Sequence, residues 1–132
     1  MSATATILED DSTLSRADRL FFRLEALLNF QTMITDLTGM DVANASMYDG
    51  ASALAEALLM AIRISKKKRT VAISSAVHPH YREVVRTYLA PGPFEIVELP
   101  FGTDGRTDLS ALTEIDDLAG VALQSPNFFG VI

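Results

Sequence analysis

The chain contains no cysteine, which excludes a disulfide scaffold, a thiolate metal site and a thiol nucleophile. Lysine is nearly missing as well: the three present are Lys66, Lys67 and Lys68. None follows an apolar strand-like run, where a Schiff-base lysine could be desolvated and activated. No stretch reaches the roughly 20 apolar residues of a membrane-spanning helix. The longest, Ala51–Ile64, is interrupted by Glu56 and Arg63. Met1–Asp11 is polar and acidic, without the basic start and apolar run of a secretory signal. A soluble, cytoplasmic protein without membrane contact is expected, and the lack of cysteine fits a reducing compartment. Neither GxxxxGK(S/T) nor GxGxxG occurs, so a nucleotide P-loop and a dinucleotide fingerprint are unsupported. A GxSxG elbow is absent too, leaving no support for a hydrolase triad.

What is present points to a globular domain. The 132 residues are 48% hydrophobic with a mean hydropathy of +0.22, enough apolar material for a core and against disorder. A net charge of −6 argues against a general nucleic-acid or anionic-membrane surface. The basic run Lys66–Arg69 reads as a solvated cap opposing a helix dipole.

Residues 1–14 read as a loose tail. Ser15 and Asp18 form a variant capping box. From there Leu20, Leu24, Leu27, Ile34 and Leu37 recur at helical spacing, with Gly39 as the stop. A second helix is expected from about Asp49 to Ser65. Its apolar residues cover nearly every face, which predicts burial between layers. The period then changes. Thr70–Ser75 and Phe94–Leu99 read as strands, with a proline-started helix over Pro79–Leu89 between them. A short helix capped by Asp108 is expected over Asp108–Ile115, and a third strand over Gly120–Gln124. Strands alternating with helices predict an α/β domain over 15–132, with a mostly parallel sheet, flanking helices and right-handed crossovers. The chain stops on the apolar Phe128–Ile132, which suggests the front of a larger domain or a subunit completed by a partner.

The chemistry-bearing positions cluster around the second helix and the strand ends. Ser46–Ser52 combines small residues with hydroxyls at a helix start, the pattern of an anion cradle, although pattern alone favours a plain capped helix. Asp49 reads as that helix's N-cap, with Tyr48 beside it. His78 follows the first strand, and ligands of open α/β sheets gather at the carboxyl ends of strands. Its ring could stack on a planar cofactor or exchange a proton, although pattern alone favours a helix-capping or surface histidine. His78 and His80 lack an obvious third metal ligand. Asn127, in Ser125–Phe128, could face a ligand or form a tight turn.

Longer runs carry a family likeness. Asn29–Ala51 (NFQTMITDLTGMDVANASMYDGA), Ser75–Arg82 (SAVHPHYR), Arg86–Tyr88 (RTY) and Gln124–Gly130 (QSPNFFG) resemble the glycine cleavage system P-protein family. The likeness covers about Glu25–Ile132, and SMYDG looks like subunit 1 of the two-subunit prokaryotic form. The resemblance implies the large domain of a fold-type-I enzyme that uses pyridoxal phosphate (PLP). It also implies glycine decarboxylation, with the aminomethyl group passed to the lipoyl arm of H-protein. A paired lysine-bearing subunit would bind most of the PLP and carry the Schiff-base lysine. On this chain, Ser46, Tyr48, Asp49 and His78 would line the cleft facing that partner, with Asn127 near it. No catalytic residue and no metal ligand is expected here. The family's upstream region and everything after Ile132 have no counterpart in this sequence, so a shortened subunit is expected. The alternative is a non-catalytic α/β module that keeps only the subunit contact. A small phosphate binder using the Asp49 helix start is a third reading.

Overall fold

The computed structural model describes residues 15–45 and 47–132. The tail expected over 1–14 lies outside the described residues, as does Ser46. The chain divides into two compact units, Met1–Ser46 and Met47–Ile132.

The first unit contains helix α1, Arg16–Thr38. Its start is the capping box: Ser15 Oγ accepts from Asp18 N–H at 3.2 Å, and Asp18 Oδ2 accepts from Ser15 N–H at 3.2 Å. Two otherwise orphaned amides are satisfied at once. Gly39 ends the helix at φ +69°, its N–H donating to Thr35 O at 2.8 Å. The Gln31 amide then donates to Ala43 O at 3.0 Å, tying the connector back to α1. No residue of α1 is buried. Leu20, Leu24, Leu27 and Leu37 are exposed, so caps and local propensity delimit this helix without core packing.

The second unit carries the sheet. Helix α2 spans Gly50–Ser65, β1 Thr70–Ser74, α3 Pro79–Leu89, β2 Glu95–Leu99, a 3₁₀ turn Ser110–Glu114 and β3 Leu118–Ala122. Both strand pairings are parallel, in the order β2–β1–β3. The fold class is therefore α/β, with β1 central and buried along its whole length. Val71 and Ile73 face a core built with Leu58 and Ile62 of α2 and Val85 and Leu89 of α3. A parallel strand covered on both faces is apolar at nearly every position, as Thr70–Ser74 nearly is. Glu98 of β2 pairs with Arg82 at 3.1 Å and with Arg86, both on α3.

Three expectations need correction. Helix α2 is buried on one side only, through Ala51, Ala55, Leu58 and Ile62. Met60 and Ile64 on its other faces are 55% and 71% exposed, while within this unit it packs on α3 and the sheet. The short helix is a 3₁₀ turn whose N-cap position is Leu109, although the Asp108 carboxylate still accepts from Ser110 N–H at 2.9 Å. The third strand starts and ends two residues earlier than Gly120–Gln124. Its Leu118 pairs with Thr70 and its Gly120 with Val71, leaving Ala119 as an extra residue in the ladder.

Asp117 explains the early start. Its Oδ1 accepts from the buried Thr70 hydroxyl at 2.6 Å and its Oδ2 from Arg69 N–H at 3.3 Å. The Thr70 hydroxyl, then the Arg69 amide and the charge of Lys68, hold its carboxyl below the usual 3.8. A carboxyl depressed on folding stabilises the fold above its unfolded value, and that contribution is lost as pH falls through the folded one. Asp117→Asn is thus expected to be less stable than the parent at neutral pH. The gap should close as urea titrations are taken below pH 3.8.

Candidate functional site

The carboxyl ends of the three strands are laced together around one turn. After β1, Ser75 donates from both its N–H and its Oγ to Leu99 O, each at 2.8 Å, binding the turn to the end of β2. Ser74 Oγ accepts from Ala76 N–H at 3.0 Å and lies 2.7 Å from Thr107 Oγ1. His78 N–H donates to Gln124 Oε1 at 2.9 Å, binding the same turn to the residues after β3. Leaving the ladder at Ala122 is what frees Gln124 for this contact.

His78 is also the N-cap of α3. Its Nδ1 accepts from His80 N–H at 3.2 Å, and Pro79 occupies the first helical turn, where a missing N–H costs nothing. An accepting Nδ1 assigns the proton of the neutral ring to Nε2. Among the described residues, no hydrogen bond engages Nε2. Around the ring lie Phe128, edge-on at 4.9 Å and 86°, and Tyr81 at 5.3 Å. Phe129 lies 5.5 Å from Phe128, and Phe101 lies 5.0 Å from Phe129. An aromatic row thus runs along the C-terminal edge of the sheet, with Phe101, Phe128 and Phe129 all exposed.

The start of α2 joins this row through Tyr81. A Cβ on Gly50 would lie 2.5 Å from the Tyr81 hydroxyl, so a side chain there would have to displace the tip of the Tyr81 ring. Just before it, Asp49 caps α2, its Oδ1 accepting from Ser52 N–H at 2.7 Å. The Ser52 amide and hydroxyl, with smaller help from the Ala51 amide and His80, hold its carboxyl below the usual range. The amides at this helix start therefore already face an ionised carboxylate, which would repel a bound phosphate. Tyr48 is 94% exposed.

Asn127 is committed to the terminal turn. Its Nδ2 donates to Gly105 O at 2.7 Å, and its Oδ1 accepts from Phe129 N–H at 3.0 Å and Val131 N–H at 3.1 Å. The neighbouring Phe128 N–H donates to Ala76 O at 2.9 Å, docking the turn beside His78. Asn127 also lines an open pocket of about 420 Å³ with Arg106, Gln124 and Ser125 among others.

Of the positions singled out in the sequence, the structure brings His78 next to the α2 start that Asp49 caps. It sets Asn127 in the turn that carries Phe128 and Phe129 and leaves Tyr48 in solvent. Sequence reasoning passed over Gln124, Tyr81 and Phe128. QSPNFFG carried Gln124 and Phe128, but no local pattern shows that these two meet a histidine some 50 positions upstream, and Tyr81 stood three residues after it. The three lysines precede β1 and His78 follows it, at opposite ends of a five-residue strand about 13 Å long. Among the described residues, no group of three His, Asp or Glu side chains could hold a metal ion. No helix among them is long and apolar enough to cross a membrane.

The geometry has counterparts in known proteins. A family model described as the glycine cleavage system P-protein matches residues 21–132, four residues more than the likeness read from the sequence. The chain is 61% identical over 109 residues to the probable glycine dehydrogenase (decarboxylating) subunit 1 of Desulfotalea psychrophila, covering 83% of this chain and 24% of that protein. It is 57% identical over 111 residues to the same-named protein of Geobacillus kaustophilus, covering 83% and 24%. A crystal structure of glycine decarboxylase (P-protein) of the glycine cleavage system, in inhibitor-bound form, superposes with a TM-score of 0.75 at 44% identity. That match covers 83% of this chain and 24% of the other. The chain thus spans about a quarter of the length of the relatives it matches. With the parallel sheet and its C-terminal edge alike in sequence and in space, the chain belongs to the glycine cleavage system P-protein family.

Proposed function

We propose that the chain forms one wall of a cytoplasmic, PLP-dependent glycine decarboxylase site whose Schiff-base lysine belongs to a partner subunit. The observation that carries this reading is the 61% identity to a probable subunit 1. The confinement of lysine to the end of β1 away from His78 agrees with it. In this reading Ser46, Tyr48, Asp49 and His78 would line the cleft facing the partner, with Asn127 near it. PLP would supply the electron sink for the pair left when glycine's carboxylate departs as CO₂, before the aminomethyl group passes to lipoyl H-protein.

The residues present fit part of that cofactor. The exposed aromatic row offers apolar ring surface to a planar group, and His78 Nε2–H offers a donor. The Asp49 carboxylate disfavours a phosphate at the α2 start, so the phosphate end falls to the partner. This weakens the reading of the chain as an independent phosphate binder. Asp49 instead holds a fixed negative charge, an acceptor for a protonated ligand nitrogen. Tyr48 adds a phenol, and the aromatic row excludes water from one side of the cleft.

The test is glycine–bicarbonate exchange with the lysine-bearing subunit, PLP and H-protein supplied. Exchange is expected to require this chain; unchanged exchange on omitting it sinks the catalytic role. The second reading, a non-catalytic subunit-interaction module, is favoured by the exposed Phe21, Leu24, Leu28 and Met33 on α1. It predicts co-elution with the lysine-bearing subunit without any gain in exchange.

A further inference from the structure

Resting on the reading of His78 as part of the cleft, we propose that Gln124 and Phe128 are positioning residues. Together they hold the His78 ring in one orientation, so that the Nε2–H left free by the α3 cap is aimed as a donor. Three restraints converge on this residue. Gln124 Oε1 anchors its backbone N–H at 2.9 Å. The His80 amide engages Nδ1 at 3.2 Å, which leaves the neutral ring's proton on Nε2. Phe128 meets the ring edge-on at 4.9 Å and Tyr81 lies 5.3 Å from it, so both rings limit its rotation.

Phe128 is itself held. Its N–H donates to Ala76 O at 2.9 Å, and Asn127 Oδ1 closes the turn on either side of it. The segment after β3 therefore sets the geometry of a residue after β1. An α3 cap alone needs neither contact, since the His80 amide and Pro79 are local to His78. The two distant restraints do something the cap does not require: they fix where the free Nε2–H points. A misplacement of about 1 Å in a reacting site can cost on the order of a hundredfold in rate, so such restraints matter where a donor must be aimed.

The test starts on the isolated chain with imidazole ¹⁵N–¹H correlation spectra at about pH 8.5, where free imidazole is neutral. The chain has two histidines, and His80→Gln assigns them. His78 is expected as a single Nε2–H tautomer. Phe128→Leu and Gln124→Leu should each shift its ring-proton signals, while the Nε2–H tautomer set by the His80 amide persists. Gln124→Glu, which keeps an acceptor, should restore the parent spectrum. A mixed His78 tautomer in the parent chain overturns the proposal without recourse to any variant. Unchanged His78 signals in both leucine variants overturn it as well. In the reconstituted two-subunit enzyme, Gln124→Leu should lower kcat for exchange about tenfold and Gln124→Glu should rescue it. Loss of exchange with His78→Ala but not with either leucine variant also counts against positioning. Exchange indifferent to His78→Ala, with the parent spectrum as expected, defeats the functional reading instead and leaves the ring geometry standing.

Discussion

Ile73→Ala is expected to lower the unfolding free energy of the chain by about 2–5 kcal/mol. Ile73 is 1% exposed in the middle strand. Its neighbours in register are Glu98 on β2 and Ala122 on β3, and its side chain belongs to the cluster holding Leu58, Val77, Val85 and Leu89. The hole left by truncation cannot collapse, because hydrogen-bonded strands clamp the backbone on both sides. Ile73→Val, which removes one methylene, should cost only about 0.5–1.5 kcal/mol. Leu37→Ala is the contrast: at 82% exposure on α1 it should move stability by less than about 0.5 kcal/mol. Urea titrations decide between these outcomes through a fall in midpoint at constant slope. Equal midpoints for Ile73→Ala and Leu37→Ala would refute the core described above. Since whole domains are stable by only about 5–15 kcal/mol, Ile73→Ala should remove a large share of the total.

Gly120→Val should cost about 1–3 kcal/mol, and for the opposite reason. A Cβ at Gly120 would sit 3.1 Å from Ala61 Cβ and 4.0 Å from Leu58 Cδ2. A single methyl already forces α2 to give by a few tenths of an ångström, and valine adds two more carbons in the same gap. Helix α2 must then lift from β3, and its other end carries Asp49 and the Gly50–Tyr81 contact. The expected signature is therefore twofold. Urea unfolding should show the loss of stability, and the Tyr81 ring resonances should shift although the substitution lies on β3. Ala61→Gly in the same chain should recover part of both effects by reopening the gap. A stable Gly120→Val variant with unmoved Tyr81 signals would contradict the close packing of α2 on β3.

Local signals marked out the elements well where a cap or a proline delimits them. Ser15 with Asp18, Gly39, Asp49 and Pro79 act within a turn of their own positions, and each element they bound falls where the sequence placed it. The errors lie where partners distant in sequence decide. The start of β3 moved to Leu118 because Asp117 binds Thr70, 47 positions away. One side of α2 stayed uncovered because hydrophobicity records the tendency to be buried, not which surface is on hand to bury it. Family likeness was legible from SMYDG, SAVHPHYR and QSPNFFG, since runs of that length are specific. His78 and Asp49 could be placed near strand and helix ends by topology alone.

The sequence by itself determined the absence of thiol chemistry, the confinement of lysine to Lys66–Lys68, the alternation of helices with parallel strands, and the family. These depend on composition, on short-range periodicity and on contiguous wording, all of which survive in one dimension. Only the tertiary structure decided that Gln124 and Phe128 close on His78 from beyond β3. Such facts come from hydrogen bonds and ring contacts between residues some 50 positions apart. A parallel sheet brings those residues together only once its crossovers have formed.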